Sequence, residues 1–355
     1  MTAGPTVWFV VPEGIDDPAR VSGGNLYDLH AGRALAARGW DVRLMPVAPD
    51  EEHPPAGSGA RPAAVASLLA GIDDDDLVLV DGLVAGRSAA AVEAEAQRLR
   101  IVVLAHMLSA DFPDAEARVI EGERRAFAAA RLIVTPSAWT RRRIAEEGLA
   151  GEEGIVVAHP GTDGGAIADG SAAGTELLCL GVVAPHKGQD VLVEALASLA
   201  AARGWRCTIA GSLETEPGFA RDVRQRARTA GIADRVLFPG VLTGSRLEEA
   251  FRATDLVVVP SRVENFGMVV IDALSRGIPV VASETGGVPE ATASTRAAIL
   301  VPPGDSAALA RTLANWLADP ALRARLTDAA RGSRGDAPSW RDTAERVAHA
   351  LESAR

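Results

Sequence analysis

Two carboxylates eight residues apart, Glu264 and Asp272, bracket the pair Phe266-Gly267 in the segment SRVENFGMVVIDALSRG, residues 261–277. From Phe266 the apolar residues recur at helical spacing and Gly277 closes the run, so Glu264 precedes a helix and Asp272 lies within it. Eight residues of helix rise about 12 Å and leave a rotation of about 80°. Two acids so placed can hold opposite ends of an elongated polyhydroxyl ligand. Between them the backbone N–H groups of Asn265, Phe266, Gly267 and Met268 open the helix, and that positive end suits a phosphate. Gly267 would let the anion approach without meeting a Cβ. Carboxylates for hydroxyls, flanking an anion cradle, describe a nucleotide-sugar site. Taken alone, the same residues also fit a helix cap at Glu264 and a solvated acid at Asp272.

Three further positions join this chemistry. In LGVVAPHKGQDVLVEALASL (180–199) Lys187 stands before Gly188 and a helix, where a compact ammonium could neutralise a leaving diphosphate or simply be solvated. In VSGGNLYDLH (21–30) Gly23 and Gly24 lie between the first strand and a helix, without the G-x-G-x-x-G order of a dinucleotide site. His106 ends the run IVVLAH at the C-terminal edge of its strand, a place that fits either a structural histidine or a ligand contact.

These residues must be positioned by strands and helices, and the patterning supplies them. Short apolar runs at 6–12, 41–47, 77–82, 101–106, 132–137 and 154–160 alternate with helical patterns, and a second series follows at 176–183, 205–211, 235–240, 255–261, 278–283 and 297–303. Such alternation predicts parallel sheets covered by helices on both faces. The fold class is α/β, with two Rossmann-like doubly wound domains facing across a cleft. The domains are expected at 1–165 and 175–335, joined by the aperiodic Gly/Ala/Asp-rich stretch 161–176, which reads as a linker. A last helix in 336–355 could fold back on the first domain. In open parallel sheets ligands bind beyond the carboxyl ends of the strands, and each cluster above follows a predicted strand.

The bulk numbers limit the alternatives. A chain of 355 residues with 48% hydrophobic and 23% charged residues is that of a folded protein of two domains. A net charge of −11 makes a nucleic-acid surface unexpected. Cys179 and Cys207 sit in apolar runs without Cys/His spacing, so buried thiols are expected and no metal site. The N-terminus carries no signal or spanning pattern, and a cytoplasmic protein is the expectation. The acids at 73–76 directly precede a strand and read as a solvated loop, and the arginines at 141–143 as a charged helical face.

The arrangement P-S-x-x-E-x-F-G-x-x-x-x-D, with Pro260, Ser261, Glu264, Phe266, Gly267 and Asp272, resembles the E-x7-E motif of retaining glycosyltransferase family 4 of the GT-B fold. The following ALSRGIPVVASETGGVPE (273–290) is similar to that family's A-x-x-x-G-x-P-V-V-x-x-x-x-G-G-x-P-E stretch. The resemblance covers most of the chain and is strongest from Gly181 to Gly304. It implies that Glu264 grips the donor sugar, Asp272 the ribose, Lys187 the diphosphate, and backbone around Val241 the base. It also implies that Gly23 and Gly24 come near the phosphates and that His106 touches the sugar near the reacting carbon. Acceptor contacts are expected around Gly23, His106 and the segment 107–114.

Two departures stand out: Val182 occupies the place of the family's arginine, and Asp272 is one methylene shorter than the usual glutamate. The expected activity is transfer of a hexose from a nucleoside diphosphate sugar, a co-substrate and not a cofactor, to an acceptor hydroxyl with retention and without a metal. The two departures keep open a nucleotide-sugar-binding protein of weak activity.

Overall fold

In the computed structural model the described residues are 4–19, 21–48, 64–112, 115–202 and 204–355. They divide into two compact units, one of Met1–Asp17, Gly23–Pro160 and Ser339–Arg355, the other of Pro18–Ser22 and Gly161–Pro338. The last two residues of the expected acceptor segment 107–114 lie outside the described residues.

The first unit is a parallel sheet of β1 (Thr6–Pro12), β2 (Asp41–Val47), β3 (Leu77–Asp81), β4 (Arg100–Leu104), β5 (Leu132–Thr135) and β6 (Ile155–Val157), in the order β2-β1-β3-β4-β5-β6. The second repeats the design with β7 (Glu176–Leu180), β8 (Arg206–Ala210), β9 (Val236–Gly240), β10 (Leu256–Val259), β11 (Val280–Ser283) and β12 (Ala298–Val301), in the order β12-β11-β10-β7-β8-β9. Every expected strand is present. Central strands such as LVLVD of β3 are buried along their whole length, as helices on both faces require. Each sheet reverses its winding once, between β1 and β3 in the first unit and between β7 and β10 in the second. At such a reversal the two outgoing connections part and leave the strand ends accessible.

One expectation is corrected. Residues 161–175 are not a free linker but a strap tied into the second unit. Ala168 N–H donates to the Arg276 carbonyl, Asp169 and Gly170 N–H to that of Arg252. The carboxylate of Asp255 accepts from Ser171 N–H and Oγ and from Glu176 N–H. The strap is held by backbone polar groups rather than by periodic apolar burial, so apolar periodicity does not register it.

The helix Trp340–Ser353 belongs to the first unit. Ser339 and Asp342 form a capping box at its start. The indole of Trp340 stacks on His30 with ring centroids 4.5 Å apart and meets Tyr27 edge-on at 5.7 Å. Thr343 Oγ1 donates to the His159 carbonyl at 2.7 Å. Among the described residues no helix is long and apolar enough to cross a membrane.

Because Trp340 is nearly buried, Trp340→Ala should cost the first unit about 3 kcal/mol. Urea unfolding followed by far-UV circular dichroism will read the loss as a lower midpoint with little change in slope.

Candidate active site

In the second unit the paired strands β7 and β10 each send out one reactive side chain. After β7 the chain makes a short 3-10 turn, Pro185–Lys187, and enters the helix Gln189–Ala197 through Gly188 at φ 69°. A Cβ on Gly188 would lie 2.1 Å from the Pro260 carbonyl oxygen, so only glycine lets this turn seat against the end of β10. Gln189, buried, braces the turn from inside: its Nε2 donates to the Val182 carbonyl at 2.8 Å and its Oε1 accepts from Ala184 N–H at 3.3 Å.

The turn presents Lys187 to Glu264. Their Nζ and Oε2 are 2.7 Å apart, and Ser261 Oγ donates to the same oxygen at 3.2 Å. Both side chains retain some exposure, 26% for Lys187 and 15% for Glu264. The ion pair is therefore wet enough for a ligand to enter, and dry enough to be worth more than a surface pair.

The loop from Glu264 to Gly267 is clamped from behind. Gly287 N–H donates to the Glu264 carbonyl at 2.9 Å. Added Cβ atoms would lie 1.7 Å from that same oxygen at Gly286, which has φ 59°, and 2.4 Å from the Asn265 carbonyl at Gly287. Phe266 is buried in the core beside Val259, Val270 and Val288, so its backbone, not its ring, faces any ligand. Gly267 caps the helix Met268–Ser275 at φ 103°; the backbone turn demands glycine there, in addition to any need for ligand approach. Asn265 Oδ1 is buried without a hydrogen-bond partner, an acceptor that a bound group could satisfy.

Asp272 lies inside the helix as expected. Its Oδ1 accepts from Thr162 Oγ1 at 2.6 Å and is 3.9 Å from Arg276. Thr162 comes from the strap, so the shorter acid is oriented by a hydroxyl from a distant stretch of chain. Val241 follows Gly240 at the end of β9, an edge strand two places from β7.

At Val182, where the resemblance leads one to look for a second cation, none of three candidate neighbours supplies one freely. Arg262 is bound to Asp190 at 2.8 and 2.9 Å and to the Pro185 carbonyl at 2.8 Å. Burial, with Lys187 adding to it, pushes His186 down to about 4, so the imidazole is neutral. Arg206 opens β8 at the end opposite its carboxyl edge.

In the first unit Gly23 and Gly24 are the first residues of the helix Gly23–Ala37. A Cβ on Gly24 would sit 3.2 Å from His106 Cδ2. His106 meets two acids that the sequence reading passed over, Asp28 at 2.7 Å and Asp81 at 3.5 Å. They come from the helix after β1 and from the end of β3; no local pattern connects them. Beyond His106, Ser109 gives its N–H to Glu123 at 3.0 Å and its hydroxyl at 3.2 Å.

The remaining expectations concern residues without a role here. Cys179 and Cys207 are buried free thiols. The acids of 73–76 are engaged locally, Asp74 with Arg98, Asp75 with Arg100 and Asp76 with Trp8 Nε1. Arg143 is paired with Asp111, Glu146 and Glu147.

Residues 173–333 match the family described as glycosyl transferases group 1. The chain is 30% identical over 363 aligned positions to the D-inositol 3-phosphate glycosyltransferase of Acidothermus cellulolyticus, covering 85% of this chain and 79% of that protein. It belongs to the glycosyl transferases group 1 family. With the corresponding Streptomyces avermitilis enzyme the identity is 35% over 244 positions, 64% of this chain but only 52% of the relative's length.

In fold this glycosyltransferase is similar to the sucrose-phosphate synthase of Thermosynechococcus elongatus, with TM-score 0.80, 23% identity and 98% of each chain covered. It is also similar to Anabaena HepE crystallised with UDP-glucose, with TM-score 0.76, 20% identity, and 98% and 99% covered. Both likenesses carry the GT-B architecture.

Two outcomes follow for this glycosyltransferase. Gly287→Ala must displace the 264–267 loop, so the second unit should lose about 2 kcal/mol of stability, read as a lower urea-unfolding midpoint. Glu123 is pushed up to about 7 by burial, against hydrogen bonds from Ser109 that pull it down. The folded state thus keeps a proton that the unfolded chain releases near 4.5. The stability this adds is full below pH 4.5 and is lost as pH rises toward 7. Glu123→Gln should be less stable than the parent at pH 4 relative to pH 8, read as the change in urea-midpoint difference between the two.

Proposed function

We propose that this glycosyltransferase moves a hexose from a nucleoside diphosphate sugar to an acceptor hydroxyl with retention of configuration and without a metal. The observation that carries the reading is the 2.7 Å pair of Lys187 and Glu264, held at the open strand ends beside the amide-rich start of the Met268–Ser275 helix. The donor diphosphate would exchange for Glu264 as partner of the Lys187 ammonium. Glu264 would then be released to accept hydrogen bonds from sugar hydroxyls. The exposed part of the Asp272 carboxylate would take the ribose hydroxyls, with Thr162 fixing its plane, and backbone near Val241 would contact the base. HepE, crystallised with UDP and with UDP-glucose, supports a nucleotide sugar as the donor class.

The chemistry asked of these groups is positioning and charge stabilisation. As the bond from the anomeric carbon to the phosphate oxygen breaks, the negative charge collects on the diphosphate, where Lys187 and the helix amides meet it. The acceptor oxygen bonds to the same face of that carbon, and its proton passes to the departing phosphate oxygen. No protein nucleophile is required.

A nucleotide-sugar-binding protein of weak activity is the second reading, favoured by Val182, by the pairing of Arg262 with Asp190, by the neutral His186 and by the place of Arg206 at the far end of β8. A panel of nucleotide sugars in single-turnover assays separates the two: tight donor binding with neither transfer nor slow hydrolysis would rule out the enzyme.

For the active protein, Glu264→Gln should lower kcat about 100-fold, and Lys187→Ala should do the same with a larger effect on kcat than on KM. Proton NMR of the product should give the donor's anomeric configuration, and EDTA should leave the rate unchanged. An inverted product or a rate abolished by EDTA would refute retention or metal independence respectively.

A further inference from the structure

The most unusual group of side chains in the molecule is the buried set around His106. Asp28 is wholly buried, Asp81 is 4% exposed and the His106 side chain 11%. His106 Nε2 lies 2.7 Å from Asp28 Oδ1 and 3.5 Å from Asp81 Oδ2. Asp81 Oδ1 is taken by Val84 N–H at 3.0 Å, capping the helix Gly82–Arg87. Asp28 Oδ2 is buried with no hydrogen-bond partner. Tyr27 closes one side with its ring edge-on to the imidazole, centroids 5.0 Å apart, and its hydroxyl proton is already given to the Ala158 carbonyl at 2.8 Å.

Two carboxylates and one imidazole cannot all keep their ordinary charges here. Two adjacent buried anions repel, and a net charge in so dry a place is costly. One proton shared by the carboxyls, with a second on the imidazole, brings the set to zero net charge: one acid, one carboxylate, one imidazolium. The same proton supplies a hydrogen-bond donor between the two carboxyls, where Asp28 Oδ2 otherwise has none. Ring geometry then fixes what remains. Nε2 faces the acids and Cδ2 faces Gly24, so the opposite edge, carrying Nδ1, is the one left to make other contacts.

We propose that Asp28 and Asp81 share one proton and hold His106 as an imidazolium, making Asp28 the positioning residue for a cationic Nδ1–H donor. What that donor meets, an oxygen of the glycosyl donor or acceptor, rests on the glycosyl-transfer reading; the protonation of the set does not. The directions of titration agree with the geometry. Burial raises Asp28 and Asp81, the latter to about 7 with the Asp28 charge adding to it. For His106, burial lowers the affinity for a proton but Asp28 and then Asp81 more than restore it, leaving it above 6.5. Among the described residues, Asp28 and Tyr27 from the helix after β1 and Asp81 from β3 face the ring.

The three side chains also offer ligand atoms all within 4.8 Å of one another, so a divalent cation is the competing occupant. Against it, the 2.7 Å separation is that of an N–H···O bond, and one oxygen of Asp81 is committed to the helix cap.

The test is NMR titration of the ligand-free full-length protein labelled at histidine, with His106 assigned by His106→Gln. An imidazolium with Nδ1 and Nε2 both protonated at pH 7 is expected. Asp28→Asn should weaken proton binding at His106 about tenfold or more, one pH unit. Asp81→Asn keeps an acceptor for Val84 N–H and should leave the imidazolium in place while abolishing the shared proton's titration near neutrality. In assays, Asp28→Asn should lower kcat with little change in donor KM, and the alkaline limb of its pH–rate profile should move with the His106 titration.

A neutral His106 at pH 7 in the parent protein overturns the proposal without recourse to any variant. So does a stoichiometric divalent metal found by elemental analysis, or equal loss of the imidazolium in both variants. Should no donor support transfer, the glycosyl-transfer reading falls while the NMR result still decides the proton arrangement.

Discussion

The reversal of winding in a parallel sheet is the constraint on which the rest of this molecule depends. Where β7 and β10 lie side by side, their outgoing connections part in opposite directions, and backbone that would otherwise be covered opens to a ligand. Everything chemical in the second unit is arranged around that opening. The 3-10 turn brings Lys187 from one side, the 264–267 loop brings Glu264 from the other, and they meet as an ion pair. Gly188 and the Gly286-Gly287 pair permit backbone contacts at distances no Cβ could occupy, so the loops pack closely against the strand ends and against one another. Close packing of this kind is what electrostatic stabilisation of a developing charge requires.

The first unit applies the same constraint to a different set of charges. Its reversal lies between β1 and β3; the helix after β1 supplies Asp28, the last residue of β3 is Asp81, and His106 follows β4. Here the charges are sealed from water rather than left half-open. In the second unit one cation faces one partly exposed anion, and both keep some contact with water. In the first, the imidazole is bound on its inner edge by acids too buried to exchange, so its state is set by the protein and not by solvent.

The cations around Val182 are already committed or neutral. Arg262 is committed to Asp190 and to the Pro185 carbonyl, so it stiffens the Lys187 turn instead of serving as a mobile charge. His186 is neutral. The cationic side chain facing Glu264 in this site is then Lys187, beside the amides at the start of the Met268–Ser275 helix. Asp272 shows the same economy: one methylene short, it is oriented by Thr162 from the strap.

Much of this protein was legible in the sequence, for definite reasons. Strands buried on both faces leave unbroken apolar runs, so the twelve strands and the two-sheet design could be read from local composition. Glu264, Asp272 and Lys187 could be singled out because their spacing and glycine neighbours are local facts. Asp28 and Asp81 carried no such mark: one falls on a helix after β1 and the other ends β3, and only the strand order β1-β3-β4 brings both against His106. The strap at 161–175 was misread because hydrogen bonds to Asp255 and to carbonyls of distant residues hold it, and such bonds have no period. The sequence by itself determined which segments form strands and helices and which side chains could do chemistry, since those depend on near neighbours. Tertiary structure alone decided which charges meet, because burial and electrostatic pairing depend on residues 25 to 78 positions apart.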